Sequence, residues 1–448
     1  MDFLGILQME VLGKLLKKAP FVEMLSFQVQ FVINLSVDFS TGDDPRPIFQ
    51  LQKEYNAPGK SPPLCAEFYT GWLTHWGENI ASTGADFTAA ALDKILSLKG
   101  SAVLYMAHGG TNFGFYNGAN TGADELDYKP DLTSYDYDAP IRESGDVDNA
   151  KFKASKYGPL MNVVFISALR GVVKRHSAAS LPSVPSNTEK RGYGPIQLQK
   201  TESLFDLIDK IDPIGVVESE NPTSMESVGQ MFGFLLYTSG YAAKDQGSNL
   251  FIPNVHDRAQ VFISCPSEDN GGRPTYVENM GRVNYGSHLF DQKGILSPVY
   301  LDGNVLKSWK IVAIPFQNLN EVLDIKPIKE IAHSRINKTL ALTNIKNTEE
   351  VSIEPALYAG RFLVDETKDT FISFSGWGKG IAFVNEFNIG RFWPSTGPQC
   401  NLYVPAPVLR HGENNLVIFE LESPNSELVV HSVDHPDFTC RSSSSSML

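Results

Sequence analysis

Hydrophobic and polar positions follow two different rules along this chain. From Ser61 to about residue 110 the apolar residues come in continuous runs. Pro63-Leu64-Cys65-Ala66-Glu67 reads as a short buried strand closed by a carboxylate. Asp86 to Leu98 reads as a helix, with Asp86 as its N-cap, Leu92, Ile95 and Leu96 at three–four spacing, and Gly100 where a left-handed residue follows the last turn. Ala102-Val103-Leu104-Tyr105-Met106 is a second apolar strand, running into the glycine-rich loop Gly109 to Gly114. Strand, helix and strand, each apolar throughout, predict a βαβ unit with parallel strands covered on both faces. In such units chemistry gathers at the C-terminal ends of the strands, here at Glu67 and Tyr105.

After about residue 178 the rule changes. Ser177 to Asn187 is a linker by composition. Short runs separated by Gly, Pro and Asn follow: Phe232 to Tyr237, Gln260 to Ile263, Lys310 to Ala313, Phe371 to Phe374, Ile381 to Val384 and Asn415 to Phe419. That spacing predicts β-sandwiches or jelly rolls. Ser442 to Ser446 is a low-complexity tail.

The 448 residues have ordinary globular composition, 42% hydrophobic and 20% charged. A formal charge of −13 carries no electrostatic footprint for nucleic acid. No apolar run reaches the roughly 18 residues of a membrane span. Charged residues from Glu10 to Glu23 interrupt the start of the chain, so Met1 to Leu35 does not read as a signal peptide. Four scattered cysteines make no zinc ribbon, and Cys400–Cys440 is the pair expected if a bridge forms. Nothing has metal-ligand spacing, and no cofactor is expected. Asn34-Leu35-Ser36 and Asn337-Lys338-Thr339 are glycosylation sequons, a number that chance supplies at this length.

Glu67 is the strongest chemical candidate. Phe68, Tyr69 and Trp72 supply apolar walls and a phenol within reach, and His75 and Trp76 follow. The blander reading is a strand-end Glu that caps a helix or pairs with Arg. A carboxylate framed by Tyr and Trp suits carbohydrate, whose C–H faces stack on aromatic rings. Glycoside hydrolysis needs two carboxylates, one to protonate the leaving oxygen and one to attack the anomeric carbon; in retaining enzymes they stand about 5–5.5 Å apart.

The runs PPLCAEFYTGWLTHWG, LYMAHGGTNFGFYNGAN and LTSYDYDAPIRESGD, in that order, resemble the β-galactosidases of glycoside hydrolase family 35, nearest the lysosomal and plant acid type. Asn254 to Ala259, Val277 to Gly286 and Phe383 to Trp393 extend the resemblance, which covers roughly residues 37 to 425. It implies a multidomain α/β plus all-β chain: the C-terminal part of a (β/α)8 TIM barrel followed by two β-sandwich or jelly-roll domains. The expected divisions are a non-family segment 1–36, a barrel portion 37–176, a linker 177–190, β domains 191–310 and 311–440 (the second galactose-binding-like), and a tail 441–448.

The resemblance further implies a retaining exo-β-galactosidase that removes terminal β-galactose, with Glu67 as nucleophile and Tyr69, Trp72, Tyr105, Tyr135 and Tyr137 against the sugar. His108 reads as structural. The family acid/base Glu sits in an Asn-Glu motif on an earlier barrel strand, and only 66 residues precede Glu67. Glu54, in Lys53-Glu54-Tyr55-Asn56, lies 13 residues from Glu67 and is rejected as that acid. The chain is therefore expected to begin partway through the barrel and to be impaired, with Ser155 to Ser167 as an interruption and a residual barrel of about two strands. The alternative is a catalytically dead remnant whose β domains bind carbohydrate. Expected partners are β-galactoside glycans, with no nucleic acid and no membrane. The family implies the vacuole, lysosome or cell wall. Linkage preference and oligomeric state are not written in these residues.

Overall fold

The computed structural model describes residues 36–59, 61–147, 164–210, 216–241, 247–262, 272–314, 316 and 354–440. Residues 1–35, most of the 155–167 stretch, both sequon asparagines, Ile263 and the tail 441–448 lie outside the described residues. Contacts divide the chain into two units. One holds the residues up to Leu73, with Ala81–Gly110 and Asp136–Thr188; the other holds Thr74–Ile80, Thr111–Tyr135 and everything from Glu189 onward.

The first unit is α/β. Three parallel strands, β1 (Val37–Ser40), β2 (Leu64–Tyr69) and β3 (Ser101–Tyr105), lie in the order β1-β2-β3. The sequence predicts the second and third; β1, at four residues, is too short to show a period, and its presence corrects the expectation of two strands. The helix Pro45–Tyr55 links β1 to β2, and Ala85–Ser97 links β2 to β3. Asp44 caps the first helix by accepting the Arg46 N–H at 3.3 Å, and Pro45 fits the first turn because its missing N–H has no acceptor to lose there. Val37, Phe39, Phe49, Cys65, Phe68, Leu92, Ile95, Leu169 and Val172 form one core. Leu169 and Val172 come from the helix Val164–His176, which begins inside the stretch read as an interruption.

Two local readings change. The helix Ala85–Ser97 starts from Gly84, which makes no side-chain cap; Asp86 sits in the first turn, where a negative charge faces the positive end of the helix dipole. The left-handed residue after it is Lys99 (φ 57°), not Gly100. Gly100 serves a different need: a Cβ there would meet the Phe49 ring at 2.9 Å.

The second unit is almost all β. A five-stranded sheet runs Arg258–Val261, Gly272–Asn279, Gly233–Gly240, Trp309–Ile314, Val216–Ser219. An eight-stranded sheet runs Phe387–Phe392, Gly380–Val384, Gly412–Glu420, Ala356–Val364, Gly194–Ser203, Val429–Val433, Thr370–Ser373, Asn401–Val404. It curls on itself, so that Ile196, Tyr358, Ile372, Val384, Leu402, Ile418 and Val430 share one core, and Phe374 stacks on Phe392 with centroids 4.1 Å apart. The domain boundary expected at 310/311 does not follow the sheets. Gly194–Ser203, expected in the first β domain, is a central strand of the eight-stranded sheet, and 310/311 falls within a strand of the five-stranded one.

Alternation explains why several strands read as wholly apolar. In Ala356–Val364, Ala356 and Tyr358 enter the curled core while Leu357 and Ala359 enter a second core shared with the five-stranded sheet. Leu416 and Ile418 split from Val417 and Phe419 in the same way. Phe234 and Leu236 face that shared core, and Leu235 and Tyr237 a third. Strands buried on both faces cannot show a polar side. Cys400 and Cys440 are joined by a disulfide, as expected from the sequence.

The segments Thr74–Ile80 and Thr111–Tyr135, read as parts of the barrel portion, belong by contact to this β unit. Arg391, buried, explains much of it. Its guanidinium donates to Asn117 Oδ1 and to the Asn279 carbonyl, and the Thr133 hydroxyl donates to its backbone carbonyl at 2.6 Å. Glu278 pairs with Lys379 and faces Arg391 Nε at 3.4 Å, so this buried carboxylate is held charged by cations.

Candidate active site

Each candidate residue is positioned by a departure from regular structure. In the ladder between β1 and β2, Val37 faces Cys65 but Asp38 faces Glu67, so β2 carries one extra residue; the ladder with β3 shifts across the same place. Simple alternation would put Cys65, Glu67 and Tyr69 on one face. The bulge instead lets Cys65 and Phe68 both enter the core and turns Glu67 and Tyr69 to the other side. The strand continues two residues past Glu67, which is therefore not its last residue as the sequence suggests.

Tyr69 donates its hydroxyl to Glu67 Oε2 at 2.8 Å. Burial, then the hydrogen bond to Glu67 and the carboxylate's charge, push the Tyr69 phenol far up, so it remains a protonated donor. The strand ends are tied: Thr70 N–H donates to the Tyr105 carbonyl at 3.0 Å, its hydroxyl to the Met106 carbonyl at 2.7 Å, and the Thr41 hydroxyl to the Tyr69 carbonyl at 3.0 Å. Tyr69 faces Tyr105 across adjacent parallel strands. Tyr69 and Tyr105 thus stand at neighbouring strand ends, and Glu67, expected at the end itself, lies two residues before it.

Four rings close a wall beside the carboxylate. Tyr69 meets Trp72 at 5.5 Å and Tyr105 at 5.7 Å between centroids; Tyr137 meets Tyr105 at 5.4 Å and Trp72 at 6.1 Å. Trp72 is 50% exposed, an open aromatic plane at the edge of the group. Tyr137 is buried, and its phenol is pushed up by burial, then by Tyr105 and the charge of Glu67.

Tyr137 and Asp138 both have positive φ, 60° and 52°. Such backbone costs about 1–3 kcal/mol per residue and persists only when its surroundings impose it. Here Arg142 Nη1 donates to Asp136 Oδ2 at 2.5 Å and to Asp138 Oδ1 at 3.2 Å, and Thr83 N–H donates to Asp138 Oδ2 at 2.5 Å. Gly71 completes the fit, since a Cβ there would lie 2.0 Å from the Tyr137 carbonyl oxygen.

The structure brings together Glu67, Tyr69, Trp72, Tyr105 and Tyr137. Tyr135, on the two-residue strand Ser134–Tyr135, is grouped by contact with the β unit. His108 is exposed, and Glu54 is exposed on the helix Pro45–Tyr55. Sequence reasoning missed Asp38, Gly71 and the clamp of Asp136, Asp138 and Arg142. The alternation Tyr-Asp-Tyr-Asp with an Arg four residues on was the available signal for the clamp. Asp38 had none, because its meaning comes from pairing across the bulge. Among the described residues no cluster of three or more His, Cys, Asp or Glu is arranged to hold a metal ion, and no helix is long and apolar enough to cross a membrane.

The α/β unit thus holds a carboxylate two residues from a strand end, bound by a phenol beside an aromatic wall. Residues 14–158 match the family model for glycosyl hydrolases family 35, and the chain belongs to that family. Residues 274–315 match the first all-beta domain of beta-galactosidases, and residues 355–414 their galactose-binding domain. The family match opens at residue 14, so residues 14–36, expected to lie in a non-family segment, fall inside it.

Among its relatives, Beta-galactosidase 17 of Arabidopsis thaliana is 58% identical over 440 residues, covering 91% of this chain and 60% of its own. Beta-galactosidase 8 of Oryza sativa subsp. japonica is 53% identical over 446 residues, covering 90% and 64%. Beta-galactosidase of Macaca fascicularis is 34% identical over 440 residues, covering 90% and 59%. The chain thus spans about three-fifths of the length of the curated relatives it matches.

Proposed function

We propose that this chain carries the nucleophile half of a retaining exo-β-galactosidase acting on terminal β-galactose of glycans, in a barrel of the (β/α)8 type. The observation that carries the reading is the Tyr69 hydroxyl on Glu67 Oε2 at 2.8 Å, inside the wall of Tyr69, Trp72, Tyr105 and Tyr137. Glu67 attacks the anomeric carbon, and the leaving oxygen departs with the electrons of the broken C–O bond. The galactosyl ester then falls to water. Tyr69 orients the attacking carboxylate. Trp72 offers its plane to the sugar, and Tyr105 and Tyr137 complete the subsite. The family reading places the work in the vacuole, the lysosome or the cell wall.

The proton donor is assigned to no described residue. Asp38, the carboxylate paired with Glu67, has its Oδ1 occupied by the Glu67 N–H at 3.0 Å. An alkoxide leaves poorly without a proton, whereas a nitrophenolate leaves without one. These 448 residues on their own are therefore expected to fail on lactose and to release trace nitrophenolate from a nitrophenyl β-galactoside. Azide should speed turnover, and Glu67→Gln should abolish it. Hydrolysis of lactose at an ordinary enzymatic rate overturns the missing-donor reading. The match of residues 355–414 to a galactose-binding domain favours a second reading, carbohydrate binding without turnover. Its mark is a galactose-dependent rise in melting temperature with no nitrophenolate released, even with azide.

A further inference from the structure

We infer that Asp38 is a positioning residue for the Glu67 nucleophile, acting through its hydrogen bond to the Glu67 backbone at the bulge in β2. The inference rests on the proposed role of Glu67 and names a residue that role does not use. Val37 and Phe39 are buried in the core on one face of β1, which puts Asp38 on the other face. That is the face to which the bulge turns Glu67 and Tyr69. Asp38 Oδ1 accepts the Glu67 N–H at 3.0 Å. The bond lies where the register slips from Val37–Cys65 to Asp38–Glu67. A side-chain acceptor at that point fixes the extra residue, and with it the direction of the nucleophile.

The arrangement has a cost that argues for a purpose. Two carboxylates sit on paired positions of adjacent strands. Burial and the charge of Glu67 both raise the Asp38 pKa, and the Glu67 N–H works against them. An Asn would accept the same N–H without the charge. An Ala would leave the amide without this acceptor and free the bulge to slip. A slip by one residue returns Glu67 to the Cys65 face.

The test is covalent trapping of the intact chain with dinitrophenyl 2-deoxy-2-fluoro-β-galactoside. Glu67 oxygen forms a bond to C1, the C1–O bond to the phenol breaks, and dinitrophenolate leaves with the electron pair, so no proton donor is needed. The rate of label uptake is read by intact mass at several reagent concentrations. Asp38→Ala is expected to lower the saturating rate about 10- to 100-fold with reagent affinity little changed, in line with the cost of misplacing a reacting group by about 1 Å. Asp38→Asn is expected to restore the rate to within about threefold, since its carbonyl keeps the acceptor. Exchange of the Glu67 amide should quicken in Asp38→Ala and not in Asp38→Asn.

A labelled wild type with Asp38→Ala labelling equally fast overturns the positioning role alone. Asp38→Asn labelling as slowly as Asp38→Ala, with wild-type melting, also overturns it, because charge and not the acceptor would then matter. A wild type that takes no label removes the nucleophile reading and the positioning role with it.

Discussion

Tyr69→Phe is the sharpest single-atom change the site offers. It deletes the hydroxyl that donates to Glu67 Oε2 and keeps the ring that meets Trp72 and Tyr105. Hydrogen bonds to charged groups contribute about 1.5–3 kcal/mol, which corresponds to roughly 10- to 100-fold in rate. The variant should take up the fluorogalactosyl label that much more slowly. An unchanged rate would mean that the phenol only packs. Glu67, Tyr69, Trp72, Tyr105 and Tyr137 are legible in the sequence because their motifs stand in family order beside continuous apolar runs. Asp38 is not. It lies 29 residues before its partner, in a strand of four, and only the slipped register makes it face Glu67.

At the scale of elements, the end of the strand Gly412–Glu420 carries a titration that the fold itself creates. Glu420 Oε1 accepts the N–H groups of Lys379, Glu422 and Ser423 at 3.0, 2.9 and 3.0 Å, while among the described residues Oε2 has no partner. Burial raises its pKa from 4.5 to about 7, against the pull of those three amides. Below pH 4.5 the group is neutral in both states. Between pH 4.5 and 7 the folded chain holds a proton that the unfolded chain has lost, so stability falls as pH rises, by about 3 kcal/mol in all at 1.36 kcal/mol per unit. Denaturant midpoints taken from pH 4.5 to 8 should show wild type losing ground to Glu420→Gln across that window. A difference that is flat or of opposite sign would contradict the burial argument. Sequence patterns located the strands here but not their sheets. Gly194–Ser203 reads like any alternating run, and its place between Ala356–Val364 and Val429–Val433 is set by pairing more than 150 residues away.

At the scale of the whole molecule, chain order and contact order part company. The sequence reads residues 37–176 as one catalytic portion, yet Thr74–Ile80 and Thr111–Tyr135 are counted with the β unit. Asn117, buried, donates to the Met280 carbonyl at 2.6 Å and accepts from Arg391. Tyr128 donates to Asp257 at 2.9 Å and to the Gly281 carbonyl at 2.6 Å. No local periodicity encodes such long-range polar pairing, which is why the motif LYMAHGGTNFGFYNGAN is visible as a family mark and not as a join between elements. The chemistry assigned to this chain converges on one carboxylate oxygen. The direct measurement is to treat the intact protein with dinitrophenyl 2-deoxy-2-fluoro-β-galactoside, digest it and sequence the labelled peptide. The account predicts a single fluorogalactosyl ester on Glu67, absent from Glu67→Gln. Label on any other carboxylate, label surviving in Glu67→Gln, or no label at all would contradict it.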